Sequence, residues 1–139
     1  MATEDVERRM KEDFRFLIDN DLILGIMLYG SAAKGEQTER SDIDLCVVAP
    51  KVDDKIRFSR SIMAQVKEGR YDVRLFELLP LYLKMEVIEY GKVVYARDIY
   101  ALYEYFYFFR KLWADQKERQ TLSKDDALRL FTSSNAKKL

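Results

Sequence analysis

Between Leu28 and Val48 the sequence reads LYGSAAKGEQTERSDIDLCVV, placing a Gly-Ser pair, Gly30 and Ser31, shortly before an Asp-x-Asp pair, Asp42 and Asp44. A Gly-Ser turn at the end of an apolar run can aim backbone N–H groups and the Ser31 hydroxyl at an anion, with Gly35 letting the backbone come close. Alone, such a pair is equally well a tight turn. The aspartates add more. In a strand, residues i and i+2 face the same way about 6.6 Å apart, so Asp42 and Asp44 project from one face and repel each other. Ionised carboxylates entering a buried strand are costly unless a cation balances them, and two divalent ions about 3.5 to 4 Å apart, as in two-metal phosphoryl chemistry, would do so. The competing reading is a pair of carboxylates exposed at a strand entrance. A third oxygen ligand is available in Asp72, at the start of YDVRLFEL, where Arg74 and Phe76 share its face. Arg74 either pairs with Asp72 structurally or contacts phosphate. Cys46 lies deeper on the face of Asp42 and Asp44 and reads as a small core residue.

Composition narrows the chemistry. The 139 residues suit one domain, and 24 basic against 24 acidic residues, scattered along the chain, argue against extended nucleic-acid binding. There is no histidine, which excludes imidazole bases and histidine metal sites and leaves oxygen ligands suited to Mg²⁺ or Mn²⁺. A single cysteine, no secretory leader and no long apolar run lead to the expectation of a cytoplasmic protein without a membrane span.

The elements that must position these groups alternate between helical and strand patterns, so an α/β unit is expected. Helical spacing of Val6, Met10, Phe14 and Leu17 predicts a helix over 3–19, with Thr3 as a candidate N-cap. LILGIMLY (22–29) and IDLCVV (43–48) read as buried strands. A second helix is expected over 53–67 from Ile56, Ile62, Met63 and Val66, stopped by Gly69, followed by a strand over 71–78. Pro80 can open a helix running to Tyr90, before the short strand KVVYA. An aromatic helix over 99–116 and a short helix over 123–131 close the chain, so the expected division is one domain over 1–118 with a helical tail over 119–139.

The stretch GSAAKGEQTERSDIDLCVV resembles the signature of the DNA polymerase beta-like nucleotidyltransferase superfamily at Gly30, Ser31, Gly35, Ser41, Asp42, Asp44 and Leu45. DVRLFE resembles the strand that carries that superfamily's third carboxylate. Up to about Trp113 the chain is similar to minimal nucleotidyltransferase (MNT) proteins, many of them antitoxin partners of HEPN-domain toxins. The resemblance implies a nucleotidyltransferase fold, a small mixed sheet flanked by helices. It implies that Gly30 and Ser31, with Lys34 and Ser41, hold the nucleotide, and that Asp42, Asp44 and Asp72 are catalytic and bind two Mg²⁺ ions, or Mn²⁺ in their place. Asp72 would also accept the attacking hydroxyl's proton. Arg40 is a weaker candidate for the phosphates. The implied activity is transfer of AMP from ATP to a hydroxyl of a protein partner, a HEPN-type toxin.

The helix IYALYEYFYFFRKLW bears on the partner. Leu102, Phe106, Phe109 and Trp113 make a core-facing seam, which leaves Tyr100, Tyr103 and Tyr107 for an interface, including one between copies of this chain, or as the edge of an ordinary core. Two other functions stay open: an antitoxin that acts by occlusion alone, and a nucleotidyltransferase acting on a small molecule.

Overall fold

The computed structural model describes residues 3–30, 33, 43–66 and 71–138. Among them, strands β1 (Gly25–Tyr29), β2 (Ile43–Val48), β3 (Tyr71–Leu75) and β4 (Lys92–Ala96) form one mixed sheet in the order β3-β2-β1-β4. β1 is antiparallel to both its neighbours, and β2 runs parallel to β3. A parallel pair needs a crossover, which helix α3 (Lys55–Gln65) supplies; the Asp54 side chain caps it by accepting from the Arg57 N–H.

Both faces of the sheet are covered, which is why the strands read as unbroken apolar runs rather than alternating ones. On one face, Ile26, Leu28, Ile43, Leu45 and Val47 pack with Met10, Phe14 and Leu17 from the N-terminal helices and with Ile62 from α3. On the other, Met27, Tyr29, Cys46 and Val48 pack under α4 (Leu81–Tyr90) and α5 (Ile99–Lys138). Phe76 centres that second layer. It is fully buried, with its ring 5.3 Å from the rings of Phe106 and Phe109.

The N-terminal helix expected over 3–19 is divided at Phe14 into α1 (Thr3–Asp13) and α2 (Arg15–Ile18). The break lets Phe14, Leu17 and Met10 all reach the sheet. The strand expected over 71–78 ends at Leu75, where a 3-10 turn (Phe76–Leu78) turns Phe76 inward. In α3 only Ile62 is fully buried, whereas Ile56 and Met63 are exposed, against expectation. The stop expected at Gly69 lies outside the described residues.

The largest difference is α5. Two helices were expected, and one helix of 40 residues is found. No Gly or Pro interrupts 117–130, and the Thr121 hydroxyl, which could have favoured a turn, donates back to the Lys117 carbonyl at 3.0 Å within the helix. Its start is capped by Asp98, whose Oδ1 accepts from the N–H groups of Tyr100 and Ala101. Just before it, Arg97 clamps the loop leading into β1: its guanidinium donates to the carbonyls of Ile18, Asn20 and Ile23 and pairs with Asp21. No helix among the described residues is long and apolar enough to cross a membrane.

Candidate active site

The site begins where β1 ends. Gly30 follows Tyr29 with φ of +70°, a left-handed conformation that disfavours any residue with a Cβ. A Cβ there would also stand only 2.5 Å from Asp44 Oδ2. Glycine therefore serves both the turn and the carboxylate that lies against it.

Asp44 is the second residue of β2 and is half-buried, while Asp72 is the second residue of β3. Parallel pairing puts the two in register. Neighbouring strands lie about 4.8 Å apart, so the carboxylates leave the same face side by side. Tyr29 is the register partner of Asp44 on the other side, which completes a row of Tyr29, Asp44 and Asp72 across three strands. One row deeper on the same face come Met27, Cys46 and Arg74.

Charge in this region is balanced in part from within. Arg74 Nη2 lies 3.5 Å from Asp72 Oδ2, with both side chains substantially exposed. Asp72 raises the Arg74 pKa above its usual value, with smaller contributions from Tyr29 and Asp44. At that distance and exposure the pair is a weak surface ion pair. A stronger cation can therefore displace Arg74 from Asp72. Burial pushes the Tyr29 phenol well above its ordinary pKa, reinforced by Cys46 and Asp44. Burial likewise raises the Cys46 thiol, so it is an inert core group and no thiolate ligand.

Asp44 and Asp72 offer a hard divalent cation oxygen donors side by side, and the Asp44 carboxylate lies in the space that a Cβ at Gly30 would need. The residues present thus fit Mg²⁺. Among the described residues no group of three or more His, Cys, Asp or Glu is gathered closely enough to hold a metal ion. The third carboxylate from the sequence, Asp42, lies outside the described residues, as do Ser31, Lys34, Gly35, Arg40 and Ser41. The structure therefore brings together Gly30, Asp44 and Asp72 of the residues singled out from sequence.

It also adds groups that sequence reasoning missed. Tyr29 joins the carboxylates only through strand register. Glu77, in the 3-10 turn, accepts from the Ala49 N–H at 2.9 Å and from the Tyr105 hydroxyl at 2.8 Å. This half-buried carboxylate ties α5 to the far end of β2, away from the Asp44 row. Burial raises the Glu77 pKa, partly offset by the two hydrogen bonds. Only the partner at position 105, a tyrosine in an otherwise core-facing part of α5, could have signalled it.

Comparison with known proteins agrees with this architecture. The sequence profile of the family described as Polymerase beta, Nucleotidyltransferase matches residues 14–100. A protein of Methanocaldococcus jannaschii named as a putative protein adenylyltransferase is 42% identical over 97 residues, covering 70% of this chain and 75% of its own. The fold is similar to that in a crystal structure of a toxin–antitoxin with AMP-PNP, with a TM-score of 0.60 and 22% identity over 86% of this chain and 96% of that one. It is also similar to a chain in the complex of the tri-AMPylated Shewanella oneidensis HEPN toxin with its MNT antitoxin, with a TM-score of 0.59 and 17% identity over 89% and 98%.

Proposed function

This chain belongs to the polymerase beta nucleotidyltransferase family, and from that premise we propose that it transfers AMP from ATP to a hydroxyl of a protein partner. The observation that carries the reading is the register of Asp44 with Asp72 beside the left-handed Gly30. It pairs two acidic groups with a left-handed turn at the end of a strand. The relative named as a protein adenylyltransferase supports the acceptor class.

In this reading the acceptor oxygen attacks the α-phosphorus of ATP, a new P–O bond forms, and the bond to pyrophosphate breaks. Gly30 and Ser31 hold the terminal phosphates through backbone N–H groups and the Ser31 hydroxyl, with Lys34 and Ser41 contributing from the same loop. Asp42, Asp44 and Asp72 hold Mg²⁺, which when bound stabilises charge on the attacking and leaving oxygens. Asp72 takes the acceptor's proton. Arg74, beside it, offsets negative charge on the phosphates. Catalysis of this kind is positioning and electrostatics, consistent with a chain that has no histidine.

The acceptor is a HEPN-type toxin, which the chain neutralises in the cytoplasm. The fold likeness to antitoxin complexes supports this choice. Tyr100, Tyr103 and Tyr107 on the exposed side of α5 supply an interface for the toxin or for a second copy of the chain. The deciding experiment incubates the chain with the HEPN protein of its own gene neighbourhood, ATP and Mg²⁺, and weighs both proteins intact. An adenylyl increment on the partner is expected. Neutralisation without any increment would instead favour inhibition by occlusion.

A further inference from the structure

β3 is an edge strand. The sheet order β3-β2-β1-β4 gives it β2 on one side, and among the described residues no strand pairs with its other side. Among those residues, no turn or loop forms a backbone hydrogen bond with residues 72–75 either. In a parallel pair every second residue turns its backbone groups away from the neighbouring strand, so this edge presents donors and acceptors to another chain.

The two faces of β3 differ. Val73 and Leu75 are buried in the layer that includes Ile62 of α3, which fixes the strand in place. Asp72 and Arg74 leave by the other face, where α4 and α5 cover Cys46 one strand away but leave Arg74 exposed. Asp72 is also the outermost member of the row of Tyr29, Asp44 and Asp72. A strand added to this edge would set one of its residues next in that row, about 4.8 Å beyond Asp72. The residue two places along would face Arg74 on the same side. Residues 71–75 contain no proline, and their register with β2 has no bulge, so neither device blocks the edge. The two charges select a strand that matches them.

Building on the nucleotidyltransferase reading, we propose that the acceptor protein docks an extended segment on the free edge of β3 as an added strand. The hydroxyl to be modified lies opposite Asp72, and an acidic residue two places away lies opposite Arg74. The chemistry is unchanged: the hydroxyl oxygen attacks the α-phosphorus, its proton passes to Asp72 and pyrophosphate leaves. The acidic residue competes with Asp72 for Arg74, whose contact with Asp72 is 3.5 Å long and exposed.

The test uses the full chain and short valine-rich synthetic peptides with one central hydroxyl residue, Ser, Thr or Tyr, flanked two places away on each side by glutamates or by lysines. Binding is followed without ATP by hydrogen exchange of the backbone amides, and AMP transfer with Mg²⁺-ATP by peptide mass. Glutamate peptides should slow exchange at alternate amides within 72–75 and show a KM severalfold below that of lysine peptides, the scale of cross-strand charge pairs. Arg74→Glu should reverse that order whatever its overall rate, whereas Arg60→Glu, an equal charge change at an exposed residue of α3, should not. Methylation of the peptide nitrogens one at a time should block binding at every second position only, the mark of main-chain pairing. Absence of peptide binding, binding that protects no amide of 72–75, or binding indifferent to methylation would overturn edge docking, and transfer to the HEPN protein would still stand. A chain that protects these amides yet transfers AMP to no peptide and to no HEPN protein would retain the docking edge and overturn the nucleotidyltransferase reading.

Discussion

The carboxylate of Asp44 occupies the space that a side chain at position 30 would need: a Cβ on Gly30 would lie 2.5 Å from Asp44 Oδ2. Gly30→Ala must therefore either move Asp44 or distort the turn. The left-handed backbone alone costs roughly 1 to 2 kcal/mol for a residue with a Cβ. Unfolding temperature should fall by a few degrees, roughly as expected for that cost in a chain of this size. Nucleotide affinity, measured by calorimetric titration with Mg²⁺-ATP, should fall by far more than that cost explains. Equal losses in both would mean that the contact with Asp44 has no functional weight.

Asp44→Asn and Asp72→Asn each remove one charge from a side-by-side pair on adjacent strands. Relief of like-charge repulsion should leave the unfolding temperature unchanged or raised. AMP transfer, read by intact mass of the partner, should disappear in both. Retained transfer in Asp44→Asn would exclude the acidic site as the reaction centre.

Glu77 gives a pH dependence with a definite sign. Burial raises its carboxyl pKa above the ordinary 4.5, so the folded protein holds this proton more tightly than the unfolded chain does. The contribution of Glu77 to stability is then greatest below 4.5 and declines as pH rises from there through its folded value. A glutamine at this position has no proton to lose. In denaturant titrations at a series of pH values, the stability of Glu77→Gln relative to wild type should rise across that window and level off above it. A pH-independent difference would mean that the folded carboxyl titrates as in the unfolded chain.

Beyond Trp113 the described side chains of α5 are exposed up to Leu130. A helical segment with no packing partner depends on marginal local propensity. A chain stopped after Lys117 keeps Leu102, Phe106, Phe109 and the Lys117 contact over the Trp113 ring at 5.0 Å. Its cooperative unfolding temperature should match that of the full chain. Amides of 118–130 in the full chain should exchange with solvent far faster than those of 102–109. Strong protection of the distal segment in the isolated chain would show that it is packed in solution, for example against a second copy.

Much of this molecule is legible from consecutive residues. The unbroken apolar runs at 25–29 and 43–48 identify strands buried on both faces, and Pro80 and Gly91 bracket α4 where the structure has it. The spacing of Leu102, Phe106, Phe109 and Trp113 identifies the packed side of α5, and Tyr100, Tyr103 and Tyr107 the open side. Gly30, Asp44 and Asp72 stand out by type and spacing, because a turn and a same-face carboxylate are local properties of the chain. Tertiary structure decided which of these groups meet. Pairing β2 with β3 in parallel register, across a crossover, is what sets Asp44 beside Asp72, and pairing β1 with β2 is what brings Tyr29 opposite Asp44. The Glu77 carboxylate between Ala49 and Tyr105, and the Arg97 clamp on the carbonyls of Ile18, Asn20 and Ile23, likewise join residues distant in sequence. Periodicity reports which way a side chain faces within its own element. Register and packing depend on the free energy of the whole assembly, and no single element carries that information.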